Sequence, residues 1–243
     1  MNYDNYLFRP SMLGDLMTNP PGKKTTTCVE ELSETAKGKL LDIWIANTYG
    51  RSKEITNKFI EKGLMQEEES MTLYSLVKGE LFLKNKDKVS NDYFTGTPDI
   101  IHPNAIIDLK TSWDIHTFFN VLLKPMNKTY LCQLNAYMEL TGLSKAYLVY
   151  TLVNTPEHLI EDEKRKARWR LNVIDEDNDG NYIQAVNDIE KNSIFDDIPR
   201  EKRYIEFEVN RDEVLIQAMK SRVPMWREFL NRFEYADSKH TNI

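Results

Sequence analysis

Apolar residues recur along this chain with a period that switches from helical to β and back. Near the N-terminus, Met12-Leu13-Gly14-Asp15-Leu16-Met17 follows Arg9-Pro10-Ser11, which reads as a short helix capped by Ser11. Asn19-Pro20-Pro21-Gly22 stops it, and Lys23 to Thr27 forms an exposed connector. Leu32, Ala36, Leu40, Ile43 and Ala46 keep the spacing of a helix over about Val29 to Thr48. Further helices are predicted over about Lys53 to Glu61 and Leu64 to Lys78.

The period then shortens. Tyr93 to Thr95, Thr97 to Ile101 and Ala105 to Lys110 are β-rich runs separated by Gly96 and by Pro103-Asn104. A helix is predicted over about Tyr130 to Leu140, ended near Gly142. Ala146 to Val153 is a continuous apolar run, the pattern of a strand buried on both faces. A charged helix over about Pro156 to Arg168, a strand at Tyr204 to Val209 and a helix over about Asp212 to Phe233 complete the chain. The order describes an α/β core with helical additions. The 243 residues are expected to form a single domain, with a core over about residues 60–155 and further strand and helix elements over 156–243.

Composition narrows the class. Hydrophobic residues at 41% and aromatics at 11% are enough for a packed core. The chain has no apolar run of about 18 residues, which argues against a membrane span. Its polar N-terminus lacks the apolar stretch of a secretion signal. Cys28 and Cys132 are too few for a disulfide framework, so a reducing cytosol is the expected home. A net charge of −6 disfavours a protein that coats nucleic acid. It does not disfavour an enzyme that confines positive charge to a groove, because phosphate contacts depend on local charge.

The candidate chemistry lies in Thr97-Pro98-Asp99, Asp108-Leu109-Lys110 and Gln133-Leu134-Asn135-Ala136-Tyr137. A two-residue turn at Pro103-Asn104 places Asp99 opposite Asp108 and Thr97 opposite Lys110, with opposed Cβ atoms about 4.5–5.5 Å apart. Carboxylates that close repel unless a cation lies between them. Strand alternation puts Asp108 and Lys110 on one face and Ile107 and Leu109 on the other. Asp-x-Lys alone is common. Here it ends an apolar run, where charges need partners or a metal. Gln133 and Tyr137, four apart, share one helix face.

Together these residues resemble the PD-(D/E)xK nuclease motif in its lambda-exonuclease and RecB-like branch. Pro98-Asp99 matches its first half, Asp108-Leu109-Lys110 its second, and Gln133-x-x-x-Tyr137 the helical motif of the branch. Gly63-x-x-x-Glu67 resembles its acidic helix start, and Arg9-Pro10-Ser11 the segment that opens the fold in phage exonucleases. The ordered match runs from about residue 5 to 155 and is far more specific than any one piece.

The resemblance implies a restriction-endonuclease-like core, a mixed central sheet flanked by helices. It implies that Asp99 and Asp108 bind Mg²⁺ or Mn²⁺ through oxygen, with the Leu109 carbonyl as a further ligand. Lys110 would orient the attacking water and stabilise the transition state. Glu67, with Glu68 in reserve, would touch the metal through water or hold a second ion. Gln133 would hold Lys110 or a backbone group, and Tyr137 would reach a DNA phosphate. Arg9 and Ser11 would recognise a terminal phosphate. The implied activity is 5′-to-3′ digestion of one strand at duplex DNA ends, in phage-type recombination beside a single-strand annealing protein. Ring-forming relatives imply a homo-oligomer, and a phage origin implies the bacterial host cytosol. A RecB-like single-strand nuclease of a helicase system and a silent DNA-binding module on the same fold are the competing readings.

Other signals are weaker. Asp175-Glu176-Asp177-Asn178-Asp179-Gly180 resembles half of an EF-hand loop, but Val186 occupies the position that needs glutamate, so a strand-to-helix turn is expected. His102, His116, His158 and His240 show no zinc-ligand spacing. Two cysteines cannot hold an iron–sulfur cluster, and no phosphate-binding loop for ATP is present. Trp113, Phe118, Phe119, Lys124 and Lys128 either line a DNA path or pack a helix on the core. The basic run Lys164 to Arg170 either meets phosphates or is a solvated helix face.

Overall fold

The computed structural model describes residues 2–22, 31–53 and 57–236, with side chains up to residue 233. The connector expected over Lys23 to Thr27, the first turn of the helix expected from Val29, Cys28 and His240 lie outside these residues. Helices α1 (Leu13–Leu16), α2 (Glu34–Tyr49), α3 (Lys58–Met65) and α4 (Glu67–Lys78) come first. Strands β1 (Val89–Ser90), β2 (Thr95–Gly96), β3 (Ile100–His102) and β4 (Ala105–Thr111) follow. Then come α5 (Ile115–Asn120), α6 (Lys128–Thr141), β5 (Lys145–Thr151), α7 (Glu157–Leu171), α8 (Gly180–Lys191), β6 (Tyr204–Asn210) and α9 (Glu213–Ala236).

The main sheet has the order β3-β4-β5-β6. Strands β4 and β5 are parallel at its centre, and β3 and β6 run antiparallel at the edges. Helix α6 is the crossover between the central pair, as a parallel connection requires. The sheet is covered on both faces. Ile100, Ile107, Leu109 and Val149 pack with Met71 and Tyr74 of α4. Ile106, Ala146, Leu148 and Val209 pack with Leu134, Tyr137 and Met138 of α6. A third cluster joins the N-terminal segment, α2 and α9 through Phe8, Leu13, Leu40, Met219 and Trp226. This is a mixed sheet flanked by helices, with the fold class expected from the sequence.

The hairpin has the expected register. Ile100 pairs with Ile107, Ile101 with Ile106 and His102 with Ala105, around a turn at Pro103-Asn104. Strand pairing does not reach Thr97, however. Residues 97–99 are outside the ladder, and Pro98, which has no N–H to donate, is buried with its carbonyl held by Asn85 at 3.1 Å. Asp99 therefore stands one residue beyond the last rung, and no strand places Thr97 opposite Lys110.

Several other expectations need correction. Ser11 does not cap α1: Pro10 starts a 3₁₀ turn over Pro10–Met12, which puts Ser11 inside the turn and exposed. Ser33 caps the next helix instead, accepting from Ala36 N–H at 3.0 Å, so α2 begins at Glu34. Asn57 caps α3, which starts at Lys58. Asp175 to Gly180 joins two helices rather than a strand and a helix. Val173 closes a small cluster with Ala167 and Tyr182, and Asp179 caps α8. The basic run on α7 is neutralised locally. Lys164 meets Glu161 and Glu190, Arg165 meets Asp162, Lys166 meets Glu163, and Arg168 meets Glu176. Among the described residues no helix is long and apolar enough to cross a membrane.

Candidate active site

Strand β4 delivers the site by alternation. Its odd positions Ile107 and Leu109 turn toward α4, while Asp108 lies on the α6 face with a relative exposure of 1%. The Lys110 ammonium is 2.6 Å from Asp108 Oδ2, which takes no other partner. Gln133 on α6 donates from Nε2 to Asp108 Oδ1 at 3.0 Å. Asp99 reaches the same place from the other arm of the hairpin, and its Oδ2 accepts the Leu109 N–H at 2.9 Å. The order of residues in the hairpin thus brings Asp99, Asp108 and Lys110 together, with Gln133 above them.

Burial sets the electrostatics. Desolvation pushes the Asp99 carboxyl up to about 7, with the neighbouring Asp108 charge adding to it and Lys110 opposing it. Asp108 is raised by burial as well, against the pull of Lys110. Burial works against the charged form of Lys110, but the Asp108 and Asp99 carboxylates outweigh it and hold this amine above its usual range. Two acids facing one ammonium leave an excess of negative charge in a desolvated place.

Glu67 is the first residue of α4 and lines the same cleft as Asp99 and Lys110, whereas Glu68 does not. The Glu67 carboxylate is held by Lys84 at 2.7 Å. Among the described residues no group of three or more His, Cys, Asp or Glu side chains converges into a metal cage. The donors still fit a hard divalent cation. They are oxygens, two of them on carboxyls that burial holds against ionisation, and Asp108 Oδ2 is free of any neutral donor.

The helix motif is turned inward. Gln133 meets Asp108 rather than Lys110, and Tyr137, 7% exposed, directs its hydroxyl to the Thr97 carbonyl at 3.3 Å. Burial followed by the two aspartates pushes the Tyr137 phenol up to about 12. Tyr137 also borders a separate concavity with Arg9, Ser11, Lys88 and Gly96. A Cβ at Gly96 would stand 2.9 Å from Pro10 and 3.0 Å from the Tyr137 ring, so the absence of a side chain lets these segments close up.

Sequence reasoning missed several contributors. Lys62, 1% exposed, donates to the Trp113 carbonyl at 2.8 Å and fixes the chain leaving β4. Burial brings its amine down to about 8, with Asp114 and Glu69 opposing. Ser70 on α4 joins Thr111 and Thr151 in a hydroxyl chain, each link 2.8 Å, that ties the helix to the ends of β4 and β5. Tyr130 places its ring 5.2 Å from Lys110 Nζ. None of these has a motif spacing, so only the residue types were visible. Of the aromatic and basic group after β4, Phe118 is core, Lys128 holds the Met17 carbonyl, and Trp113 borders the cleft with Lys58 4.7 Å from its ring.

A hairpin bearing two acids and a lysine on a mixed sheet, covered by a Gln-bearing crossover helix, is the arrangement expected of a restriction-endonuclease-like core. Comparison with solved structures gives the same fold. A phage-related exonuclease from Haemophilus somnus 129PT superposes with a TM-score of 0.72 at 24% identity, over 95% of this chain and 96% of that one. An alkaline exonuclease from Laribacter hongkongensis gives a TM-score of 0.63 at 15% identity, over 98% and 94%. The same enzyme in complex with dAMP gives 0.62 at 16% identity, over 96% and 93%. No family model matches the chain, and no curated protein matches it in sequence.

Proposed function

We propose that this chain is a single-domain, Mg²⁺- or Mn²⁺-dependent DNA exonuclease that digests one strand from the 5′ end of duplex DNA. The observation that carries this reading is the meeting of buried Asp108 with half-buried Asp99 and Lys110, which leaves excess negative charge at the mouth of a cleft. Similarity in fold to exonucleases over nearly the whole chain supports it, since the neighbours share the additions as well as the core.

Asp99, Asp108 and the Leu109 carbonyl would hold the cation, with Glu67 at the rim. A divalent ion there lowers the pKa of water and offsets charge on the phosphate. Gln133 keeps Asp108 oriented, and the Leu109 N–H does the same for Asp99. Lys110 stays protonated between the carboxylates, so it orients water and stabilises the charge that develops on the phosphate rather than removing a proton. Arg9 and Ser11, exposed on the concavity beside Tyr137, would receive a terminal phosphate. A role in phage-type recombination beside an annealing protein, and assembly as a homo-oligomer, follow from the same reading.

The test is degradation of end-labelled DNA with Mg²⁺ and with EDTA, on 5′-phosphorylated duplex, single-stranded and circular substrates. Metal-dependent loss of the linear duplex from its 5′ ends is expected. Preference for single strands would favour the RecB-like reading, and no degradation would favour a silent DNA-binding module. Lys110→Ala should reduce turnover at least ~100-fold, as loss of a transition-state contact does. Full turnover in that variant would reject its assigned role.

A further inference from the structure

Beside the carboxylate cleft lies a second concavity of about 270 Å³. Thr117, Val121, Tyr130 and Tyr150 line both, so these side chains form the wall that the two share. Leu148, Tyr150 and Phe207 of the sheet form one wall, and the end of α5 with the segment after it forms the other, with exposed Asn120 and Lys124 on it. The aromatic rings meet edge to face, with centroids 6.5 Å apart for Tyr130–Tyr150 and 6.1 Å for Tyr150–Phe207. Lys110 Nζ is 5.2 Å from the Tyr130 centroid, so the candidate catalytic amine and the second concavity share a ring.

We propose that this concavity receives the base of the nucleotide next to the phosphate being cut. The inference rests on the nuclease reading of the adjoining cleft and adds a base-binding subsite to it. Small-molecule sites span about 300–1,000 Å³, so a space just below that range suits one planar heterocycle and excludes a helix or a folded partner. An aromatic wall accepts the π-face of any base, whatever the sequence. The Asn120 amide offers a donor and an acceptor to a base edge. Lys124 supplies positive charge for the phosphate that continues the strand. An ordinary packing void would be closed and aliphatic. This one shares a wall with the cleft and bears an amide and an ammonium. A base seated behind Tyr130 would fix the attached phosphate over Asp99 and Asp108, which is where hydrolysis needs it.

The test is calorimetric titration of the protein in EDTA with dAMP and, separately, with 2-deoxyribose 5-phosphate, which has no base. Wild type is expected to bind dAMP on the order of tenfold more tightly, the contribution of a stacked base. Asn120→Trp, which fills the space from an exposed position, should remove that preference. Asn120→Ala, which leaves the space open but removes the amide, should lower the preference by less than Asn120→Trp does. Equal binding of the two ligands by wild type, or an undiminished preference in Asn120→Trp, would overturn the proposal. Neither measurement needs hydrolysis. A chain that prefers dAMP but cuts no DNA would overturn the nuclease reading, and one that cuts DNA without the preference would overturn only the base pocket.

Discussion

Replacing Asp99 by asparagine is expected to abolish hydrolysis and to make the metal-free fold more stable at alkaline pH. The amide keeps an oxygen for the Leu109 N–H, which Asp99 now accepts at 2.9 Å, but brings no charge into the desolvated site. The Asp99 carboxyl moves from an ordinary value of 3.8 up to about 7 on folding, first through burial and then through Asp108. Folding therefore favours the protonated form. The stability this group contributes is complete below its unfolded pKa and is lost as pH rises through the folded value. At about 1.4 kcal/mol per pH unit, ionisation opposes folding by ~2 kcal/mol at pH 5 and ~4 kcal/mol at pH 8. The variant should thus gain ~2–3 kcal/mol more over wild type at pH 8 than at pH 5. Part of the gain is relief at Asp108, whose ionisation burial also opposes, so the figure belongs to the pair. Urea unfolding in EDTA, followed by circular dichroism at the two pH values, measures the difference. Adding Mn²⁺ at pH 8 should raise the stability of wild type and leave the variant nearly unmoved. A gain that is the same at both pH values would refute the account of burial and repulsion.

The remaining predictions concern the supports of the site. Gln133→Leu removes the donor to Asp108 Oδ1 inside the protein and should reduce Mn²⁺ affinity about 10–100-fold, measured by titration, with a loss of ~1–3 kcal/mol in unfolding. Unchanged affinity would mean that the amide does not orient the acid. Gly14→Ala should destabilise the fold by ~1–3 kcal/mol, because a Cβ there would lie 2.5 Å from the Thr129 backbone at the start of α6. Gly38→Ala on α2, where nothing lies within 4 Å, is its control and should stabilise by ~0.5–1 kcal/mol. Equal effects of the two substitutions in thermal melts would refute the close approach of α1 to α6.

How much of this was legible in the sequence depended on the range of the interaction. The run Ala146 to Val153 and the hairpin around Pro103-Asn104 were readable because strand period and turn chemistry are local, and the register followed from the turn length. Gly142 ended α6 as expected, in the left-handed conformation. Ser11 failed as a cap because the neighbouring Pro10 favours a tighter turn, a competition between local signals that composition does not resolve. The turn at Asp175 to Gly180 leads into a helix as expected, with Tyr182, Ala185, Val186 and Ile189 at helical spacing, but α7 and not a strand precedes it. The apolar face of α8 packs on Ala167 of α7 and on Val173, a contact between neighbouring helices that the β-rich residues before the turn do not reveal. The partners Lys62, Lys84 and Tyr130 come from distant parts of the chain, and their roles arise only when α3, the segment after α4 and α6 close around β4.

The sign of the imbalance separates the carboxylate cleft from the other buried charges. Glu139 on α6 is also poorly exposed, yet Lys220 and Arg211 both reach it; burial opposes its ionisation, but the two cations prevail and hold its carboxyl below the usual range. One acid facing two cations is satisfied within the protein, and nothing further has to bind. At Asp99 and Asp108 the ratio is reversed: two acids face Lys110, the nearby Lys84 is held by Glu67, and both carboxyls are pushed upward. A fold selected only for stability would replace one acid by an amide, the change that the Asp99→Asn experiment makes. On the proposed function, a cation from solution would complete the set. On the same reading, binding of that ion would offset the cost of keeping both acids, a cost that the Asp99→Asn comparison measures.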